Sequence, residues 1–80
     1  MYAVNYQLTG QIYKGVFSDK VVRLETHKTK AAAEANIRKR FDALKATGKF
    51  ALVEDKGTEF TISEKDDHSD YTARYFVARA

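Results

Sequence analysis

Between Thr29 and Gly48 the apolar residues of this chain stop alternating and begin to recur at helical spacing, and that change of period constrains the fold more than any other feature. At about 100° per residue, Ala33, Ile37, Phe41 and Leu44 fall within one narrow stripe. One edge of the segment therefore faces a core and the remainder faces water. The run Ala31-Ala32-Ala33-Glu34-Ala35 has the best helix propensity in the chain. Thr29 can accept a free first-turn amide as N-cap, and Gly48 suits the left-handed residue that ends a helix. The spacing predicts a helix over 29–47.

Everything on either side reads as strand. Residues 2–9 alternate, with Tyr2, Val4, Tyr6 and Leu8 on one side and Ala3, Asn5, Gln7 and Thr9 on the other, the period of a half-buried strand. Thr9-Gly10 predicts a turn, 11–18 a second strand around Ile12, Tyr13, Val16 and Phe17, and Ser18-Asp19-Lys20 a second turn. The β-branched run with Val21, Val22, Leu24 and Thr26 is then a third strand, and the three form a meander. After the helix, strands are expected over 49–54, 58–64 and 71–79, with Asp55-Lys56-Gly57 as a hairpin turn and 65–70 as a solvated loop. The expected architecture is α+β: a mostly antiparallel sheet in the order βββ-α-βββ, with one amphipathic helix packed on one face. Six strands are far wider than one helix. The uncovered face must curl into a partial barrel, meet a second subunit or bind something, and it is the main functional lead.

With 80 residues the chain makes a single domain, 1–80, too small for a buried multi-substrate active site. It has no Cys, which excludes disulfides, thiolate metal sites and cysteine nucleophiles. No apolar run reaches the length of a membrane span, and the first residues lack a signal-peptide pattern, so a soluble cytoplasmic protein is expected.

Charge is the feature with the most functional content. Residues 1–53 carry ten Lys or Arg against four acids, whereas residues 54–80 carry four against seven. The helix and its neighbours concentrate the positive charge in Arg23, Lys28, Lys30, Arg38, Lys39, Arg40, Lys45 and Lys49, a cluster that attracts phosphate backbones or acidic protein surfaces. Tyr13, Tyr75 and Phe76 sit in strands that also hold Lys14, Arg74 and Arg79; base-stacking sheets interleave aromatic and basic residues in this way. Tyr13 and Arg74 therefore join the candidate binding residues.

No pattern points to catalysis. His27 has no acid or nucleophile at a motif spacing, and the four Gly match no phosphate-binding fingerprint. The loop Asp66-Asp67-His68-Ser69-Asp70 lacks the grammar of a calcium or zinc site, so no metal or cofactor is expected. The acidic segment 54–70 reads as solvated hairpin ends or as a surface for a basic partner. Ala32, Ala35, Ala43 and Ala46 around Lys39 would permit close approach by a partner or a second copy in a homodimer.

In its size, in the strand leading into Thr29-Lys30-Ala31-Ala32-Ala33-Glu34, and in the return through Lys49-Phe50-Ala51-Leu52-Val53, the chain resembles the small accessory proteins of phages and other mobile elements, including anti-CRISPR and host-takeover proteins. The resemblance carries over no functional residue. It implies a stoichiometric inhibitor or adaptor in the host cytoplasm, with a host protein or nucleoprotein complex as target. The sequence expectation is a non-enzymatic module that docks a protein or nucleoprotein partner through its basic helix face. The alternative is sequence-independent DNA or RNA binding by the same helix and the sheet aromatics.

Overall fold

A computed structural model describes residues 1–65 and 69–80. The helix forms as its spacing requires: α1 spans Lys30–Thr47, the Thr29 hydroxyl accepts the Ala32 amide at 3.2 Å, and Gly48 adopts φ 66°. Ala33, Ile37 and Phe41 are buried along one side, and Leu44 packs beside them. The strands are β1 Tyr2–Tyr13, β2 Val16–Ser18, β3 Val21–His27, β4 Ala51–Asp55, β5 Phe60–Lys65 and β6 Asp70–Arg79. They make one antiparallel six-stranded sheet in the chain order βββ-α-βββ. The spatial order is β2-β1-β6-β5-β4, with β3 beside β1 on the same flank as β2.

The first hairpin differs from its expected form. β1 runs straight through Thr9-Gly10 to Tyr13, and the reversal is made at Lys14-Gly15, where Gly15 has φ 74°. Gly10 serves the ladder instead: a Cβ there would lie 2.5 Å from the Asp70 carbonyl oxygen, so only glycine admits β6 this closely. Nor do the first three strands form a meander. β2 and β3 both pair with β1, as one return limb interrupted at Asp19-Lys20, where the Gln7 amide donates to the Asp19 carbonyl at 2.9 Å.

The core lies between α1 and the sheet. Val4 of β1, Phe60 and Ile62 of β5, and Ala73 of β6 meet Ala33, Ile37 and Phe41. An aromatic chain crosses it: Tyr6 stacks on Tyr75 (5.7 Å), Tyr75 on Phe60 (4.7 Å), and Phe60 meets Phe41 edge-on (5.1 Å). Burial raises the Tyr75 phenol above its ordinary pKa, and the nearby Tyr6 phenol adds to the rise. The ladder between β1 and β6 pairs Tyr2 with Arg79 through to Gln11 with Asp70 and forms the spine of the sheet.

Candidate binding surfaces

The helix bases do not form one patch. Successive helical residues turn by about 100°, so Arg38, Lys39 and Arg40 leave the axis in three directions. Arg38 reaches β4, donating to Asp55 at 2.7 Å with its guanidinium 4.5 Å from the Phe41 ring centroid. Arg40 reaches β3, donating to Glu25 at 3.0 Å and to Asn36 at 2.7 Å. Lys39 points outward and is exposed. Lys28 and Lys30 stand at one end of an 18-residue helix and Lys49 at the other, about 27 Å away. Lys45 lies along the flank, its Nζ 6.0 Å from the Phe41 centroid. Arg23 pairs with Asn5 and so shares the sheet face turned away from α1, not the helix side.

Two acids remote in sequence thus neutralise the two arginines most central to the expected patch. Replacing Arg38 and Arg40 with Glu would set like charges against Asp55 and Glu25, so that change perturbs the fold as well as the surface. Glu25 also accepts from His27 Nε2 at 2.6 Å. That bond, followed by the charge of Arg40, holds the Glu25 carboxyl below its ordinary pKa. Asp55 is lowered by the Gly57 amide and by Arg38, and Glu59 by Arg74. Each carboxyl is harder to protonate folded than unfolded, so its contribution is present above the ordinary values of 4.5, 3.8 and 4.5 and is lost as pH falls through the lowered ones. Melting temperature is expected to stay level from neutral pH down to the carboxylate range and then to drop. Because these pairs are at least partly exposed, high salt should flatten that drop, which calorimetry at two ionic strengths would record.

The face opposite α1 carries no helix and is open except around Ala3, which is buried. β1 contributes Ala3, Asn5, Gln7, Thr9 and Gln11, and its partners on that face are Thr72, Arg74, Phe76 and Ala78 of β6. Thr61 and Ser63 of β5 extend it. Arg74 lies over the Phe76 ring at 4.4 Å from its centroid and donates to Glu59 at 2.7 Å, a bond that raises its pKa. The margin of this face along β2 and β3 is apolar: Phe17, opposite Gln11, is 72% exposed, and Val21, opposite Gln7, is 52% exposed. Tyr13, also exposed, stands at the hairpin end beside Val16, and Arg23 continues the row after Val21.

Of the sequence candidates, the structure therefore groups Arg23 and Arg74 on one face, leaves Tyr13 at its margin, and spreads Lys28, Lys30, Lys39, Lys45 and Lys49 elsewhere. Phe17 and Val21 were missed. A signal existed: Val16-Phe17, Val21-Val22 and Leu52-Val53 are adjacent apolar pairs, and in a strand one member of each pair must turn from the core. The loop considered for metal falls in part on residues 66–68, outside the described residues. Among the described residues no group of three or more His, Cys, Asp or Glu could hold a metal, and no helix is long and apolar enough to cross a membrane.

The edges of the sheet are guarded. β3 carries an extra residue between its partners Val4 and Asn5, and β4 one between the positions opposite Ile62 and Thr61. Such bulges twist an edge away from further strand pairing. No protein-family model matches the chain, and neither a curated protein nor a solved structure shows significant similarity to it.

Proposed function

We propose that this chain is a non-enzymatic binding module, of the inhibitor or adaptor kind implied by its resemblance to phage accessory proteins, that docks a protein or nucleoprotein partner. The docking surface is the uncovered sheet face and its β2–β3 margin rather than the helix. One observation carries this reading: Phe17, Val21 and Tyr13 stand exposed in one strip beside Arg23. An aromatic and aliphatic strip flanked by arginine has the make-up of an interface core, which is depleted of acids and enriched in aromatics and Arg. Because the strand edges are bulged, the partner packs on side chains and does not add a strand.

The test is capture of a partner by immobilised protein, with nuclease treatment as one arm and Phe17→Glu with Val21→Glu as the other. A nuclease-resistant partner lost by the double variant and retained by Lys39→Glu is the expected result. Retention by the double variant sinks the assignment. A second reading, binding of single-stranded nucleic acid, draws on Arg74 lying over Phe76 among the hydroxyl side chains of Thr9, Thr61 and Thr72. Fluorescence anisotropy with single-stranded DNA and RNA separates the two. Nucleic acid requires affinity falling steeply with salt and abolished by Arg23→Glu with Arg74→Glu.

A further inference from the structure

β2 and β3 form one limb at the flank of the sheet, and among the described residues only β1 pairs with it. The limb is apolar on both sides. Adjacent residues of a strand point to opposite faces. Phe17 and Val21, opposite Gln11 and Gln7, lie on the open face, whereas Val22, opposite Tyr6, and Val16, the neighbour of Phe17, turn to the side that carries α1. The helix does not cover them: Val16 is 49% exposed and Val22 41%. From Val16 to Val22 the limb runs along β1 from Tyr13 to Tyr6, a length of about 23 Å at the usual rise of a strand.

We infer that this limb enters, edge first, an elongated cleft of the partner protein with apolar walls and carboxylates at its mouth. A flat surface laid on the open face would bury Phe17 and Val21 and leave Val16 and Val22 wet. A concave partner takes all four from water. Addition of a continuous strand is opposed by the extra residue in β3 and by the break at Asp19-Lys20, so the cleft grips side chains. A lipid interface also surrounds what enters it, but the outer edge of the limb presents backbone groups that no strand pairs, which hydrocarbon cannot satisfy and a protein cleft can. The apolar groove that a second copy offers, lined by Phe41, Leu44, Phe50 and Ile62, measures about 100 Å³, room for one side chain and not for the limb. Charge gives the mouth its chemistry. Asp19 is the one acid within residues 1–24, against the exposed Lys14, Lys20 and Arg23 on the limb and its turn. None of these three bases forms an ion pair among the described residues, and Glu25, the next acid, is already held by Arg40 and His27. Carboxylates around the mouth would meet all three.

This inference rests on the binding-module reading for the existence of a protein partner, and it adds Val16 and Val22 to the surface. Its test places the photoreactive residue p-benzoylphenylalanine at Val16, Phe17, Val21, Val22 and Lys39 in turn and irradiates each protein with the nuclease-resistant partner that the parent chain captures. Crosslinks to the same partner chain from all four limb positions, and none from Lys39, are the expected result. Val16→Glu with Val22→Glu should weaken that binding about a hundredfold, as strongly as Phe17→Glu with Val21→Glu. The fold should survive, because all four side chains are already exposed. Lys14→Glu with Lys20→Glu should weaken it about tenfold at low salt and much less at high salt. Crosslinks and losses confined to Phe17 and Val21 would overturn the inference and leave the open-face reading standing, and an unchanged Lys14 and Lys20 double variant would overturn the acidic mouth. Capture of no protein, or no crosslink from any limb position, would overturn both readings. Retention of the parent by vesicles of phosphatidylserine and phosphatidylcholine, lost in the Val16 and Val22 double variant, would overturn the cleft in favour of a lipid surface.

Discussion

Phe41→Ala is expected to remove most of the stability of this domain. Phe41 is 8% exposed, meets the Phe60 ring edge-on, and lies beneath the Arg38 guanidinium and near the Lys45 ammonium. Truncating a buried phenylalanine costs about 3 to 5 kcal/mol through lost transfer energy and the cavity left behind. A chain of this length has roughly 4 to 12 kcal/mol in total. The variant should therefore melt on the order of 20 °C lower or lose its cooperative transition. Urea unfolding followed by circular dichroism would measure the loss. A midpoint close to that of the parent would mean that the helix is not docked through this residue.

Gly10→Ala is the second large effect, and it acts through the backbone. At φ 122° an L-residue is strained, and the added Cβ would meet the Asp70 carbonyl oxygen at 2.5 Å and the Tyr71 Cα at 3.1 Å. Both obstacles belong to the main chain of β6, so no side-chain rotation relieves them. The central ladder must open locally, at about 3 kcal/mol or more. Gly15→Ala is the matched control: its φ is 74° but nothing lies within 4 Å of the new methyl, so it should lose only about 1 kcal/mol. Hydrogen exchange at the amides of 70–74 should rise in the first variant and stay unchanged in the second. Equal losses at both positions would show that the close approach of β6 is not what Gly10 permits.

That same residue shows where sequence reasoning stopped. A glycine after a polar residue reads locally as a turn, and nothing within residues 2–18 reveals that another strand, sixty residues later, needs the space where a Cβ would stand. The turn went to Lys14-Gly15 because β1 keeps pairing with β6 as far as Gln11, beyond the predicted reversal. The helix was fully legible by contrast. Its cap, its buried stripe and its left-handed terminus depend on contacts within four residues, which spacing encodes directly. The basic face was legible as composition but not as a surface, since Glu25 and Asp55 come 15 and 17 residues from the arginines they bind.

By itself the sequence determined the alternation that makes strands, the one segment with helical period, the absence of cysteine chemistry and the inward stripe of Ala33, Ile37, Phe41 and Leu44. These are local properties, fixed by side-chain period and backbone preference over a few residues. Tertiary structure alone decided that β2 and β3 share one neighbour, that Arg23 and the helix bases lie on opposite sides of the sheet, and that Phe17 and Leu52 stay exposed at opposite flanks. The physical reason is pairing order. Which strand lies beside which is set by the long-range ladder between β1 and β6, and because it places β2, β3 and β4 at the flanks, both members of Val16-Phe17, Val21-Val22 and Leu52-Val53 stay exposed.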